Sequence, residues 1–383
     1  MEELRMFLKG KPLVFKIVLV LFLAGLFVGV RALHVLSTEQ QDDTEFFDKI
    51  AISKPAHVRG VHVTAWAAGS PVFRKKHIWG LLDETEINTL VIGIKEVDGV
   101  VAVPGVAQAK QFKAYHEAIP DLPEFLTELR RRGVYSIARI VVFKDKIVSE
   151  AHPAWAVKNP DGTIWRDNAE KSWLDPYNKE VWEYTFSISK RCLELGFQEI
   201  QFDYIRYPSD GNTRLCRYSY ANHNSSSAAT NLEAFLEAAN KRFKPMGANL
   251  SIDIFGLIPS VDHDMGIGQS FLRMTQWVDY VSPMVYPSHY AMGEYGIPNP
   301  NREPYKVVYR TMSDAKRKLG ENFTKIRPYL QDFDYAGVKY GPEEVRAQIQ
   351  ASEDVGVKEW LLWNAGSKYT KGGLKSRAQS GVQ

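Results

Sequence analysis

Hydrophobic and polar positions alternate along this chain in two distinct rhythms. From Val58 onward, short apolar runs recur, and each is followed by a longer stretch with helical spacing. The short runs predict strands over Val58–Val63, Thr89–Lys95, Val134–Val141, Glu199–Tyr204, Leu250–Phe255, Val278–Tyr286, Lys325–Gln331 and Glu359–Asn364. Between them, Leu122–Arg132, Lys179–Leu195, Asn231–Phe243 and Pro342–Val355 carry amphipathic helical patterns. The first two stop at Gly133 and Gly196, the residue type that closes a helix in the left-handed conformation. Strand–helix alternation implies a parallel sheet, because parallel neighbours need a crossover connection. Eight such units predict an α/β fold, a closed (β/α)8 TIM barrel with enlarged βα loops; an open doubly wound sheet is the alternative.

The strands themselves favour closure. Strands buried on both faces should read as continuous apolar runs. Here the runs are broken with period two, which places residues on one side of a strand. In Glu199-Ile200-Gln201-Phe202-Asp203 the apolar residues suit a helical layer, and Glu199, Gln201 and Asp203 point inward. Asp253 follows the same logic on the fifth strand. Lys95 or Glu96, Arg139, Tyr286, Gln331 and Asn364 stand at or near the C-terminal ends of theirs. Burying an unpartnered polar group costs roughly 2–7 kcal/mol. A polar ring contributed by most strands at one end therefore reads as a site, at the end where barrels carry their chemistry.

The N-terminal stretch departs from this cadence. Ile17–Val30 is free of charge and the apolar run resumes beyond Arg31 to Leu36, about 20 residues in all, enough to cross a bilayer. Arg5, Lys9, Lys11 and Lys16 precede it and orient it with the N-terminus in the cytoplasm. A cleaved signal peptide is the rival, although no small-residue cleavage site closes the run. Residues 1–36 are thus expected to be a cytoplasmic n-region and transmembrane helix, 37–56 a polar stalk, 57–364 the barrel and 365–383 a basic, frayed tail. Either N-terminal reading puts the barrel outside the cytoplasm, membrane-anchored or secreted.

Composition narrows the partners. With 48 Lys+Arg against 45 Asp+Glu, a net charge of +3 creates no general field for nucleic acid. Two cysteines, Cys192 and Cys216, exclude a disulfide scaffold and a Cys-based zinc cluster, and leave one bridge or two thiols open. Gly266-Ile267-Gly268 lacks the third glycine of a dinucleotide fingerprint, and there is no P-loop, nucleophile elbow or H-E-x-x-H pair. Asp262-His263-Asp264 reads as a polar turn. No metal and no cofactor are expected.

The segment Gly196–Pro208, running from a helix-ending glycine through a strand to Asp203, Arg206 and aromatics, resembles a bacterial family of TIM-barrel domains classed by likeness as glycosyl hydrolases. The resemblance extends to Ile94–Gly99, Ala138–Asp145, Asp253–Gly256, Met284–Tyr290, Arg327–Phe333 and Leu362–Asn364, and so spans the region from about Val58 to Asn364. It implies a glycoside hydrolase whose partner is a polysaccharide or oligosaccharide.

Cleaving a glycosidic bond needs one carboxyl that gives a proton and another that acts as nucleophile or base. Asp203 and Asp253 end consecutive strands, about 4.8 Å apart in a barrel, close to the roughly 5–5.5 Å carboxyl separation of retaining enzymes. Asp203, which resembles the acidic residue ending the fourth strand in many barrel glycosidases, is the candidate nucleophile; the acid is Asp253, Glu96 or Asp332. Lys95, Arg139 and Arg206 are candidates to orient the carboxylates, and Tyr286, His289, Gln331 and Asn364 to bond sugar hydroxyls. Trp155, Trp165 and Trp173, in the insertion after the third strand, and Tyr290 and Tyr295 after the sixth are candidates to line an open groove suited to a polymer. A barrel that binds glycan without cutting it, or an envelope-assembly scaffold, is the competing class, and transglycosylation by the same carboxylates a third.

Overall fold

A computed structural model describes residues 53–380. The expected transmembrane segment and most of the stalk lie outside the described residues; within them, no helix is long and apolar enough to cross a membrane. Eight parallel strands, β1 (Arg59–Val63), β2 (Thr89–Lys95), β3 (Tyr135–Val141), β4 (Glu199–Asp203), β5 (Asn249–Phe255), β6 (Tyr280–Val285), β7 (Tyr329–Gln331) and β8 (Trp360–Trp363), close in sequence order when β8 pairs with β1. The helices between them include α1 (Trp79–Glu84), α2 (Leu122–Arg131), α3 (Lys179–Glu194), α4 (Ser225–Phe243), α5 (Phe271–Thr275), α6 (Pro304–Leu319) and α7 (Pro342–Val355), besides other short helical turns. The closed parallel sheet excludes the open doubly wound alternative. Strand β7 is shorter than its apolar run, because Pro328 has no N–H to offer the ladder.

The helices form where an apolar stripe recurs. In α2, Leu122, Phe125, Leu126 and Leu129 are buried at i, i+3, i+4 and i+7, and this face packs on the barrel. Gly133 and Gly196 follow α2 and α3 with φ of 68° and 98°, the left-handed geometry that favours glycine. The Asn224 side chain caps α4 by accepting from the Ser227 N–H, and the Ser227 hydroxyl accepts in return from the Asn224 N–H.

Inside the barrel the period-two polar residues stack in layers. At the N-terminal end Glu199 is fully buried against Arg327, which donates from Nη1 at 3.2 Å and also from Nη2. Ser251 and Tyr135 donate to the same carboxylate at 2.5 and 3.2 Å. One layer up, the Tyr329 hydroxyl donates to Gln201 at 2.8 Å among Val91, Ile137 and Leu361. A buried ion pair contributes little net stability, but removing one partner costs about 3–5 kcal/mol, so this layer holds the interior in one arrangement.

The residues after β8 are docked, which corrects the expected frayed tail over the described part. Ser367 accepts from the Thr64 N–H, Tyr369 donates to the His62 carbonyl, Thr370 donates twice to Asp332, and Lys371 pairs with Glu84. At the opposite end Lys54 pairs with Glu359 and lies over the Tyr280 ring. Cys192 and Cys216 are both free and buried.

Candidate active site

A cavity of about 720 Å³ opens at the C-terminal ends of the strands. Its carboxyl groups come from Glu96 after β2, Asp203 at the end of β4, Asp253 in β5 and Glu294 after β6; Arg139 of β3 and Arg206 after β4 bring the positive charge. Asp203 and Asp253 follow the last β4–β5 ladder pair, Phe202 with Ile252, and so stand side by side at one level, one strand spacing (about 4.8 Å) apart.

The two carboxyls have opposite surroundings. Asp203 is 3% exposed and fully engaged: Oδ2 accepts from Arg139 Nε at 2.9 Å and from Nη2, and Oδ1 accepts from the Tyr204 N–H at 2.6 Å. Tyr204 takes a φ of 50°, unusual for a residue with a side chain, and this turn aims the N–H back at the carboxylate. Burial works against the charge on Arg139, but Asp203, and then Glu96 at 3.6 Å, outweigh it and hold the guanidinium above its ordinary value. Asp253, 1% exposed, has no ion pair among the described residues, and its Oδ1 has no hydrogen-bond partner among them. Burial, then the neighbouring Asp203, push its pKa well above the usual carboxylate range, against Arg139 and Arg327. One carboxylate paired to a guanidinium beside a carboxyl whose pKa is raised is the arrangement that divides acid from base or nucleophile.

Glu96 reaches the cavity through an irregularity in β2. The β2–β3 register runs Gly93 with Arg139 and then Lys95 with Ile140, one extra residue on β2. That shift turns Glu96 inward, where it accepts from the Ala65 N–H at 2.9 Å and covers Gly93 so closely that a Cβ there would meet Oε1 at 2.3 Å. It also corrects the expectation for Lys95. Aligned with the outward Ile140, Lys95 is fully buried against Asp145 at 2.8 Å and does not line the cavity.

Tyr286, His289, Arg139, Arg206 and Tyr290 line the cavity as expected. Arg206 donates to the Tyr207 carbonyl and Ser209 hydroxyl, both at 3.1 Å, and lies over the rings of Trp173, Tyr204 and Phe255; it makes no ion pair with Asp203. Three other expectations are corrected. Gln331 is used internally, accepting from the Ser288 N–H at 3.1 Å and donating to the Phe333 carbonyl at 2.9 Å. Asp332 accepts from Thr370 Oγ1 at 2.7 Å and N at 2.8 Å, so it anchors the C-terminal segment and is no acid of this site, although burial raises its pKa. Asn364 donates to the Asp332 carbonyl at 2.5 Å and accepts from the Gly366 N–H at 2.7 Å. Gln331 keeps the inward parity of Tyr329 and pairs with Trp363, but its amide is taken up by loop backbone; Asp332 and Asn364 sit where the chain leaves the sheet, and period two no longer fixes direction there.

The tryptophans of the β3 insertion are also misplaced by the sequence reading. Trp155, Trp165 and Trp173 are 4%, 2% and 2% exposed, and none lines the cavity. Trp155 packs on Phe112 at 5.2 Å and donates to Glu180 at 2.8 Å; Trp165 donates to the Asn212 carbonyl at 3.0 Å; Trp173 lies under Arg206. Short backbone pairings such as Val157 N–H to the Trp173 carbonyl, 2.8 Å, give this insertion a core of its own. Tyr295, bonded to Ser260 and Thr311, does not line the cavity either.

The aromatic surface comes from the strands instead. Trp363 of β8 lines the cavity with its ring 4.1 Å from His62 of β1, stacked at 24°, and 5.8 Å from Tyr329, edge on. A second series climbs outward: Tyr286 to His289 at 5.4 Å, and His289 to Tyr335 at 5.9 Å, where Tyr335 is 52% exposed. His62, Trp363, Tyr329, Tyr204 and Glu294 were not singled out from sequence. Parity was the available signal for two of them: Trp363 is two residues beyond the inward Leu361, and His62 pairs with the inward Val91.

A family profile described as "Putative glycosyl hydrolase domain" matches residues 60–369. Among solved structures, a hypothetical protein from Ruminiclostridium thermocellum is 34% identical over 52% of this chain and 99% of its own, with a TM-score of 0.46. The glycoside hydrolase domain of PgaB (BpsB) from Bordetella bronchiseptica is 14% identical, covering 82% of this chain and 95% of that one, with a TM-score of 0.59. The spore cortex-lytic enzyme SleL of Bacillus megaterium is 12% identical over 84% and 73%, with a TM-score of 0.50. The last two likenesses show the fold. No curated protein matches.

Proposed function

The chain belongs to the family of this glycosyl hydrolase domain, and on that premise we propose that it hydrolyses a glycosidic bond with Asp203 and Asp253. The observation that carries the reading is the pair itself, two carboxyls on adjacent strands at one level, one ion-paired to Arg139 and the other without a counter-ion and with its pKa raised. Asp253 gives its proton to the leaving oxygen. Asp203, with its Oδ2 held by Arg139, attacks the anomeric carbon, and the roughly 4.8 Å strand spacing supports a retaining outcome. Water then releases the sugar, with Asp253 taking the proton back. Trp363 supplies an apolar face for a sugar ring beside the carboxyls, and the Tyr286–His289–Tyr335 series supports a substrate longer than one sugar. We place this activity outside the cytoplasm, on an envelope or extracellular polysaccharide, from the apolar Ile17–Leu36 segment.

The test is a screen of the purified barrel against envelope polysaccharides with Asp203→Asn and Asp253→Asn as controls. The expected result is reducing-end release by the wild type, a loss of at least about a thousandfold in each variant, and glycan binding retained in Asp203→Asn. Because the acid must hold its proton, turnover should fall as pH rises through the elevated Asp253 pKa. Glycan binding with no cleavage by the wild type refutes hydrolysis and favours the binding-only class.

A further inference from the structure

The cavity floor holds polar atoms that the two-carboxylate scheme leaves unused. His62 is 1% exposed and lines the same cavity as Asp203 and Asp253, and neither of its ring nitrogens has a hydrogen-bond partner among the described residues. An unsatisfied buried polar group costs about 1–3 kcal/mol, and a fold retains such atoms where a bound molecule completes them. The ring is not idle packing, because it is stacked on Trp363, whose other neighbours are Arg139, 5.0 Å from the ring centre, and Tyr329. Burial, and then Arg139, hold the imidazole below its ordinary pKa, so it is neutral, with one nitrogen donating and the other accepting. Asp253 Oδ1 is a second unpartnered buried atom in the same cavity.

A group that both donates and accepts satisfies this floor, and a hydroxyl does so. An anionic substituent does not suit the site, because Glu96, Asp203 and Glu294 outnumber Arg139 and Arg206 around the cavity and Arg139 is already paired. We propose that His62 is a specificity-determining residue that hydrogen-bonds one free ring hydroxyl of an uncharged pyranose unit seated on Trp363 at the bond being cut. The inference rests on the hydrolase reading and adds the class of sugar that the deepest position accepts. A site built to bond a hydroxyl rejects the analogue without it far more strongly than an apolar pocket rejects an extra one, because its buried atoms are then left unpaired.

The experiment compares wild type with His62→Phe, which keeps the stack and removes both nitrogens. The substrates are p-nitrophenyl glycosides of glucose, galactose, mannose and N-acetylglucosamine, each with its monodeoxy analogues. In the wild type, loss of one particular hydroxyl should lower kcat/KM by about 10²–10³-fold, with smaller effects at the other positions. In His62→Phe that discrimination should shrink below about tenfold. Equal discrimination in the two proteins overturns the inference while leaving the hydrolase reading intact. No hydrolysis of any glycoside or glycan by the wild type overturns both. Should His62→Phe fail to fold, the ring ¹⁵N resonances of His62 in the wild type decide the matter. They should move on saturation with the released sugar and stay in place with its deoxy analogue; resonances unmoved by both overturn the proposal.

Discussion

Arg139→Leu isolates the electrostatic design of this site. In the folded protein Arg139 is 2% exposed and Asp203 is 3% exposed, so the pair sits where solvent screening is weak, with Glu96 3.6 Å from the same guanidinium. Leucine fills part of the space and leaves two carboxylates in the cavity without a counter-ion. Breaking a buried pair from one side costs about 3–5 kcal/mol, because the remaining charge keeps its desolvation penalty and loses its compensation. For a barrel of this size that corresponds to a fall in Tm on the order of 5–15 °C. The double variant Arg139→Leu/Asp203→Asn carries one fewer unpaired charge and should recover about half of the loss. Urea and thermal unfolding of the wild type, both single variants and the double variant, followed by circular dichroism, complete the cycle. A single variant within about 1 kcal/mol of wild type, or a double variant no more stable than Arg139→Leu, would falsify the claim that this pairing organises the site.

Other outcomes follow from the same geometry. Asp253→Asn should gain stability relative to wild type as pH rises. Above about pH 4 the unfolded carboxyl ionises while the folded one keeps its proton, so wild-type stability falls until pH passes the raised folded value. Tm differences at pH 4 and pH 8 should therefore widen in favour of Asn, and a constant difference contradicts the raised pKa. Tyr335→Ala should raise KM about 2–10-fold for long oligosaccharides and leave that for a disaccharide unchanged, as expected of an aromatic contact worth about 0.5–1.5 kcal/mol at the rim. Equal effects at all chain lengths count against the outward series. Trp155→Ala should cost about 3–5 kcal/mol in unfolding free energy with KM unaltered, since its ring is core of the insertion; a KM effect in a stable variant would restore it to the groove.

How much of this was legible beforehand depended on whether a residue lay within the regular part of a strand. Glu199, Gln201, Asp203 and Asp253 could be assigned inward from period-two spacing, and all four face the interior. Lys95 and Glu96 were left undecided, and the answer lay in one extra residue in β2, which no alternation pattern reveals. Gln331, Asp332 and Asn364 lie at strand ends as the sequence implies, but Gln331 is taken up by the Ser288 N–H and the Phe333 carbonyl, and past the ladder the docked C-terminal segment engages Asp332, whose carbonyl accepts from Asn364, contacts between positions far apart in sequence. The tryptophans of the β3 insertion misled because loop residues usually face solvent, whereas this loop is long enough to bury side chains of its own. His62 and Trp363 have a readable inward parity, but an aromatic at an inward position is as readily core packing as a site residue, so alternation alone does not mark them.

The layer around Glu199 and Arg327 closes the barrel from below. A sugar chain cannot be drawn through the ring of strands like a thread through a bead. Under the proposed activity it would have to be presented from the rim, and both fragments of a cut would depart on the side from which the chain arrived. Under the proposed hydrolysis, turnover of a long glycan would be governed by how readily its severed ends clear a one-sided depression, with the exposed Tyr335 beside His289 on their way out.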